Sequence, residues 1–584
     1  MLEKLDFAVR HYALLAAFVL AFWGVGRAVL VRAMRLDPID EWLDFAMAVA
    51  VGMGVFMLAF LGLALGGSLR TVPIIGLLVS GVLLSANEIR HGRLGPPQGT
   101  HKEPLTLMNG VILVAILAAS TLLGPLSPPH RWDELMYHLP LARQWALSGE
   151  LTVNEWLRYA WFPYNFHLLF AAALVLYDDV SARLLHALAG WVVALLIFRV
   201  GVKFVNRFTA CAATSIWLLA TKGEYDSAYI DMGVTLFVFS ACIAARMWVA
   251  HPLQRRWLWV ACFLLGVGAG SKYQVLAFVP FFLAVLIRHD RRASTVAGAA
   301  AIFLVPCIYW YARNAILTGD PFNPIGGKLF GFTSWNLGDY EYQLADLKRA
   351  ASWPPWTFWL AALAPLFRPL RQHPDFRGAA AFSIYAFAVW WVTSHYDRYL
   401  MPAYPVMALL SGMFLQFAWS SVAQTAGRLG ARPKLWLIGS CWAVAIVVAL
   451  ASSLRRLETG WSRIATAPEA SAAFLRQQVS GFRLVQQAKQ FTGARIYQWG
   501  LEGAIYYAPN PIWGDHFGRW RYRDVASLNP RQLMQKLVSD KFDILLVHSA
   551  TVPGLESKEG FVDYFEQTLS VDGHKAYRIR RIEP

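Results

Sequence analysis

Leu435-Trp-Leu-Ile-Gly-Ser-Cys-Trp-Ala-Val-Ala-Ile-Val-Val-Ala-Leu-Ala-Ser-Ser-Leu454 is a run of 20 residues without a single charge. Wound as a helix, it reaches across the hydrocarbon of a bilayer, which takes about 20 apolar residues. Arg428, Arg432 and Lys434 stand before it, and behind it the composition turns polar. The run therefore reads as the last of a series of membrane helices, with a soluble segment following it.

Toward the N-terminus such runs recur. Tyr12–Met34, Leu43–Gly66, Val72–Ala86, Thr106–Gly124, Val180–Val202, Thr209–Thr221 and Ile230–Ala250 are candidates, as are Trp257–Gly270, Gln274–Ile287, Ser294–Tyr311, Trp353–Phe367, Gly378–Thr393 and Leu400–Trp419. They predict an α-helical polytopic membrane protein with about 12–15 transmembrane helices. Composition agrees: 57% of the 584 residues are hydrophobic and 15% charged, against about 25% charged in soluble domains. The apolar run from His11 to Val31 is too long for the core of a cleavable signal and reads as the first membrane helix. The five cysteines all lie in apolar runs and read as small core residues.

The net charge of +16 invites a nucleic-acid reading. The cations instead fall in short loops between apolar runs, which is the positive-inside pattern, so nucleic acid is excluded as a partner. Arg90, Arg93 and Lys102; Lys203 and Arg207; Arg255 and Arg256; Arg288, Arg291 and Arg292; and Arg368, Arg371 and Arg377 alternate consistently if placed on the cytoplasmic side. The opposite, outer side then receives 127–164, 222–231, 271–273, 313–352, 394–399 and everything after Leu454. Pro163–Tyr177 breaks the parity and is expected to lie at, or dip into, the outer surface.

After Leu454 the pattern is that of a small soluble α/β domain on the outer side. Strands are expected at Ala494–Trp499, Asp543–His548 and Ala576–Ile582, with helices at Arg531–Val538 and Val562–Leu569. The domain organisation predicted is membrane helices over 1–104, a membrane core with outer-face loops over 105–454, and the α/β domain over 455–584.

Ionisable groups at or near membrane depth are costly and mark function, and the informative ones fall on the outer side. Pro128-Pro-His-Arg-Trp-Asp-Glu-Leu-Met-Tyr-His-Leu-Pro140 places Asp133 and Glu134 directly after a membrane helix. One carboxylate can act as a base while the other orients a donor or binds a cation; the competing reading is a solvated helix start. The amphipathic stretch behind them, Leu135–Leu147, is expected to lay Leu139, Leu141 and Trp145 on the membrane. Lys222–Asp231 holds a second acidic cluster, Glu224, Asp226 and Asp231, with a polar interhelical turn as the competing reading. Lys272, Arg313 and Arg398 are cations on the side where cations are disfavoured, so they need an anionic partner, and a lipid phosphate is a natural one. Gly266-Val-Gly-Ala-Gly-Ser-Lys272 lacks the Gly-Lys-Ser/Thr ending of a phosphate loop and reads as helix packing.

Taken in order, Trp132-Asp-Glu-Leu-Met-Tyr-His-Leu-Pro140, Phe162-Pro-Tyr-Asn-Phe166, Ala228-Tyr-Ile-Asp231, Gly270-Ser-Lys-Tyr273, Arg313-Asn, Thr318-Gly-Asp-Pro321 and Arg398-Tyr-Leu-Met-Pro402 form a set. The set resembles the GT-C superfamily of membrane glycosyltransferases, in the group of protein O-mannosyltransferases, aminoarabinose transferases and Rgt-like lipopolysaccharide transferases. The resemblance implies a polyprenyl-phosphate-linked sugar as donor, a lipid, glycan or protein acceptor, and transfer at the outer face of the cytoplasmic (inner) membrane. It implies Asp133 as catalytic base with Glu134 beside it. Tyr137, His138, Asp226 and Asp231 are carried as substrate-binding residues, and Lys272, Arg313 and Arg398 as holders of the lipid phosphate. The superfamily is mixed in metal dependence, so no cofactor is assigned and a divalent cation stays open. Membrane lipids are expected partners. The rival readings are a transporter or lipid flippase, whose ionisable groups belong near the bilayer midplane on broken helices, a polysaccharide polymerase or ligase of different fold, and a noncatalytic scaffold.

Overall fold

The computed structural model describes residues 1–90, 105–349, 352–428 and 431–581. Arg93, His101, Lys102 and Ile582 of the sequence reading fall outside them. The chain divides into two compact units.

The first unit comprises Met1–Ser127, Pro163–Tyr309 and Ala345–Ile464. Among its described residues, eight helices are long and apolar enough to cross a membrane: Leu2–Ala33, Glu41–Leu65, Thr71–Arg90, Met108–Leu126, Asp179–Phe204, Asp231–Ala250, Met401–Arg428 and Trp436–Arg463. The chain is a multi-pass membrane protein. Four shorter apolar helices, Asn165–Leu176, Arg256–Ala269, Tyr273–His289 and Trp356–Leu366, add to these.

Lipid tails are as apolar as leucine, so these helices are held by close packing more than by exclusion from water. The first helix meets the second through a reciprocal glycine contact. A Cβ on Gly26 would lie 1.7 Å from the Ala48 carbonyl oxygen, and one on Gly52 would lie 1.8 Å from that of Phe22. At this close approach only glycine fits. The buried Glu88 on the third helix takes Arg27 (3.2 Å) and Arg32 (2.5 Å) of the first.

Two expectations in this unit need correction. Ser294–Tyr311 is not one continuous helix: it is interrupted between Ala293–Leu304 and Ile308–Thr318. Pro306 lies in the break, where its missing N–H cannot continue the helical ladder, and its carbonyl takes the Asn165 side-chain amide at 2.7 Å. The 163–177 segment does not lie on a surface. Its helix, Asn165–Leu176, is buried on every face over Asn165–Ala173, as suits a helix apolar all round, and it packs against Asp179–Phe204 and Glu41–Leu65.

The second unit comprises Pro128–Phe162, Trp310–Leu344 and Ala465–Pro584. Its centre is a five-stranded sheet of order β2-β1-β3-β5-β4, built from β1 (Ile496–Trp499), β2 (Ile512–Trp513), β3 (Ile544–Val547), β4 (Phe565–Val571) and β5 (His574–Ile579). β1 is flanked by β2 and β3, both parallel to it; β5 pairs antiparallel with β3 and β4. The Pro530–Ser539 helix buries Leu533, Met534 and Leu537 on the sheet and carries a capping box from Asn529 and Gln532. β1, β3 and β5 and this helix match the sequence reading.

The expected helix over Val562–Leu569 does not form. Helix is confined to Phe561–Tyr564, and Phe565 onward is β4. Val562, Phe565 and Leu569 have helical spacing, but Asp572 and Gly573 both hold positive φ (53° and 79°). That is the Asp-Gly turn that closes two-residue hairpins, and it commits the preceding residues to pairing with β5. The segments 128–162 and 310–344 fold onto this domain. The Tyr507 hydroxyl donates to the Pro129 carbonyl at 2.5 Å, Arg143 donates to the Tyr506 carbonyl at 2.8 Å, and Trp335 stacks on Phe517 at 5.1 Å. Leu139, Leu141 and Trp145 therefore do not lie on a membrane surface. All three are fully buried in protein, and Trp145 stacks on Trp310 at 6.0 Å.

Candidate active site

In the first unit the Asp231–Ala250 helix begins with its carboxylate in the first turn, where the helix dipole favours a negative charge. Asp231 is buried, and Lys272 Nζ approaches its Oδ1 to 2.6 Å. Lys272 stands just past the end of the Arg256–Ala269 helix. Its ammonium also lies 4.4 Å from the centre of the Tyr399 ring. The next side chain of that loop, Arg398, lies over Tyr229, Tyr396 and Tyr399 at 5.3, 5.5 and 5.9 Å. The cluster thus joins two cations, the Asp231 carboxylate and three tyrosine rings, with Asp346 accepting from the Tyr396 hydroxyl at 3.1 Å and Asp397 beside Arg398. Its cations, backed by aromatic faces, are of the kind that meets a phosphate.

His186 steadies the same corner. The Met232 backbone N–H donates to its Nε2 at 3.2 Å. That fixes the tautomer, so Nδ1 carries the proton and donates to the Ser227 carbonyl at 3.0 Å. Asp226 sits elsewhere in the unit. It pairs with Arg456 at 2.8 Å, its carbonyl receives Arg183, and its carboxylate packs where a Cβ on Gly124 would otherwise stand. These contacts make Asp226 a brace between helices.

In the second unit the two adjacent carboxylates have separate environments. Glu134 is 0% exposed, and its Oε1 accepts the backbone N–H groups of His130 at 2.5 Å and Arg131 at 2.6 Å. It ties down its own loop. Asp133 is half-buried and precedes the Glu134–His138 turn, yet among the described residues its side chain makes no capping hydrogen bond there. Tyr137 packs against His138 at 4.0 Å and Tyr159 at 4.9 Å; His138 is buried. Arg313 lies over Trp161 and Trp310 at 5.6 and 5.0 Å. It grips the Asn314 side-chain oxygen through Nη2 at 2.8 Å, while Asn314 donates to the Trp161 carbonyl at 2.7 Å.

A group centred on Arg158, a residue the sequence does not single out, also lies in this unit. Arg158, almost fully buried, meets Asp515 at 2.7 Å and Glu502 at 3.7 Å, and His516 meets Glu502 at 3.2 Å. Burial, with the Asp515 charge behind it, pushes the Glu502 carboxyl up to about 7 against the pull of Arg158. Asp339 is likewise buried and holds Arg521 and Arg523 at 3.3 and 3.2 Å. Arg158 carries no local sequence signal, because its partner Asp515 is 357 positions away. Among the described residues, no group of three or more His, Cys, Asp or Glu side chains is arranged to hold a metal ion.

The architecture matches ArnT from Cupriavidus metallidurans in the apo state with a TM-score of 0.51 and 17% identity, covering 80% of this chain and 97% of that one. ArnT from the same organism bound to undecaprenyl phosphate matches with a TM-score of 0.49 and 16% identity, covering 81% and 98%. Residues 470–578 match the model of the family described as SF2091/S2213. Two Shigella flexneri proteins are each 31% identical to the chain: "Uncharacterized protein SF2093/S2215" over 133 residues, 22% of this chain and 67% of the relative, and "Uncharacterized protein SF2092/S2214" over 136 residues, 21% and 74%. The fold is like that of ArnT, in a polytopic membrane protein with a small α/β domain. The chain belongs to the family of the Shigella flexneri proteins SF2093/S2215 and SF2092/S2214.

Proposed function

We propose that the protein is a membrane glycosyltransferase, moving a sugar from a polyprenyl-phosphate-linked donor to an acceptor hydroxyl at the outer face of the cytoplasmic membrane. The observation that supports this most is the ArnT-like fold, extending over 80% of the chain. Asp133 takes the acceptor proton, and the acceptor oxygen forms its bond to the anomeric carbon. The bond from that carbon to the phosphate oxygen breaks, and the polyprenyl phosphate leaves with one more negative charge. Lys272, Arg313 and Arg398 receive that charge. Asp231 is a positioning residue, holding the Lys272 ammonium at 2.6 Å. Phosphate is already a competent leaving group, so positioning and charge stabilisation supply most of the catalysis. Glu134 orders the loop that carries Asp133.

The test is turnover in proteoliposomes. Purified protein supplied with polyprenyl-phosphate-linked sugars should release polyprenyl phosphate, with mass spectrometry identifying the glycosylated product. Movement of intact donor between leaflets without release would make the protein a flippase instead.

A further inference from the structure

The Asp231–Ala250 and Arg256–Ala269 helices form a hairpin. Asp231 and Lys272 lie at its open end, and its tight turn, 251–255, lies at the other. Twenty helical residues separate the two ends, about 30 Å at 1.5 Å per residue, the thickness of a bilayer's hydrocarbon core. At the turn is a cavity of about 550 Å³ that belongs to no part of the site above. Four arginines line it, Arg35, Arg255, Arg256 and Arg292, against one acidic residue, Asp37.

The cations are not equally engaged. Asp290 holds Arg292 at 2.7 Å and Arg255 at 3.5 Å. Among the described residues neither Arg35 nor Arg256 forms an ion pair. Arg256 donates instead to the Arg35 carbonyl at 3.2 Å, and Arg35 is kept at a φ of 48°, a left-handed backbone that a residue with a side chain adopts only at an energetic cost. The helices Arg256–Ala269 and Ala293–Leu304 both start at this cavity. Neither has a side-chain cap on its first residue, so the positive end of each dipole adds to the field. Two apolar groups share the place: Trp259 lines the cavity, and Leu253 at the turn is 99% exposed. The turn joins the end of a membrane helix to a shorter apolar one, which leaves this leucine beside the cationic cavity.

We propose that this cavity binds the phosphate headgroup of an anionic membrane lipid. Arg35 and Arg256 contact the phosphate, and Trp259 and Leu253 border the glycerol and upper acyl chains. A basic pocket between membrane helices at the basic-loop end is suited to such a headgroup. The bound lipid holds the closed end of the hairpin at a fixed depth, and with it the level of Asp231 and Lys272 at the open end.

The test is native mass spectrometry of the full-length protein released from micelles containing either phosphatidylglycerol or phosphatidylcholine. The wild type should retain phosphatidylglycerol in preference. The double variant Arg35→Gln/Arg256→Gln should bind it about thirtyfold more weakly, about fivefold for each charge removed near the surface. Arg291→Gln, the same change just outside the cavity, should weaken it less than twofold. Equal retention of the two lipids by the wild type overturns the proposal without reference to any variant, as does an equal loss in Arg291→Gln. A third arm adds inorganic phosphate to the lipid-free protein. Saturation there, with no further gain from phosphatidylglycerol, overturns the lipid assignment in favour of a soluble anion.

Discussion

Glu134 is the residue whose replacement separates scaffold from chemistry most sharply. Glu134→Ala removes an acceptor that two backbone N–H groups reach at 2.5 and 2.6 Å, in a position closed to solvent. A hydrogen bond to a charged group contributes about 1.5–3 kcal/mol, and a buried N–H left without a partner costs a comparable amount. Two such bonds make the loss roughly 3–6 kcal/mol, a large share of the ~5–15 kcal/mol that keeps a typical protein folded. Glu134→Gln keeps an oxygen for both donors and loses only the charge, so the cost falls to about 2 kcal/mol. Asp133→Asn keeps the shape of a half-buried side chain that, among the described residues, caps no helix and should cost about 1 kcal/mol, the central value for point substitutions. It should nonetheless lower turnover by at least about a hundredfold, the lower end of what a general base contributes. The assay pairs urea unfolding of the detergent-solubilised protein, followed by tryptophan fluorescence, with release of polyprenyl phosphate. Stability should fall in the order Asp133→Asn, Glu134→Gln, Glu134→Ala, while turnover per folded molecule should be lost only in Asp133→Asn. Wild-type stability in Glu134→Gln together with abolished turnover would refute the assignment and move the proton to Glu134.

Neutralising Lys272, Arg313 or Arg398 singly should weaken donor binding by roughly 1.5–3 kcal/mol, the worth of a charged hydrogen bond to phosphate; unchanged donor affinity in all three variants would place the phosphate elsewhere. Glu502 predicts a pH dependence: because its folded pKa is raised to about 7, the folded form holds a proton that the unfolded form has released. Its contribution to stability is therefore complete below pH ~4.5 and lost as pH rises through 7, by roughly 3 kcal/mol. Glu502→Gln should flatten this slope, and a variant whose unfolding midpoint tracks the wild type from pH 5 to 8 would contradict it. In a cysteine-free background, Glu559→Cys should react with an impermeant thiol reagent from outside the cell, and Gly427→Cys only after permeabilisation. The opposite result would invert the orientation and take the proposed site with it.

The membrane helices were legible because lipid leaves the chain little choice: a run such as 435–454 must satisfy its own backbone, and helix is the way to do it. β1 and β3 were legible for a related reason, since both are short β-prone stretches buried along their whole length, whereas the equally parallel β2 is two residues long and leaves no pattern to read. β4 was not, because its apolar residues fit both periods and the deciding Asp572-Gly573 turn lies beyond its end. At the candidate site the sequence could mark Asp133-Glu134 but not divide the roles. Which carboxylate is tied to its own loop depends on where the backbone N–H groups of His130 and Arg131 point, and that is set by folding. Arg158 was invisible, as a lone arginine in an aromatic loop gains meaning only beside Asp515 and Glu502. Pro306 does carry a signal in the sequence, since a proline inside the 294–311 run cannot continue the helical ladder.

The second unit is assembled from three stretches of chain, and this bears on how the protein is made. The loop bearing Asp133 is anchored through Pro129 to Tyr507, 378 positions later. At about 5–20 residues per second of synthesis, that partner emerges roughly 20–75 s after the loop. Through that interval the loop has no domain to fold onto, so the nascent protein can insert its membrane helices long before Asp133 is set in place. A chain released before Tyr507 is made would lack this anchor for the loop that carries Asp133.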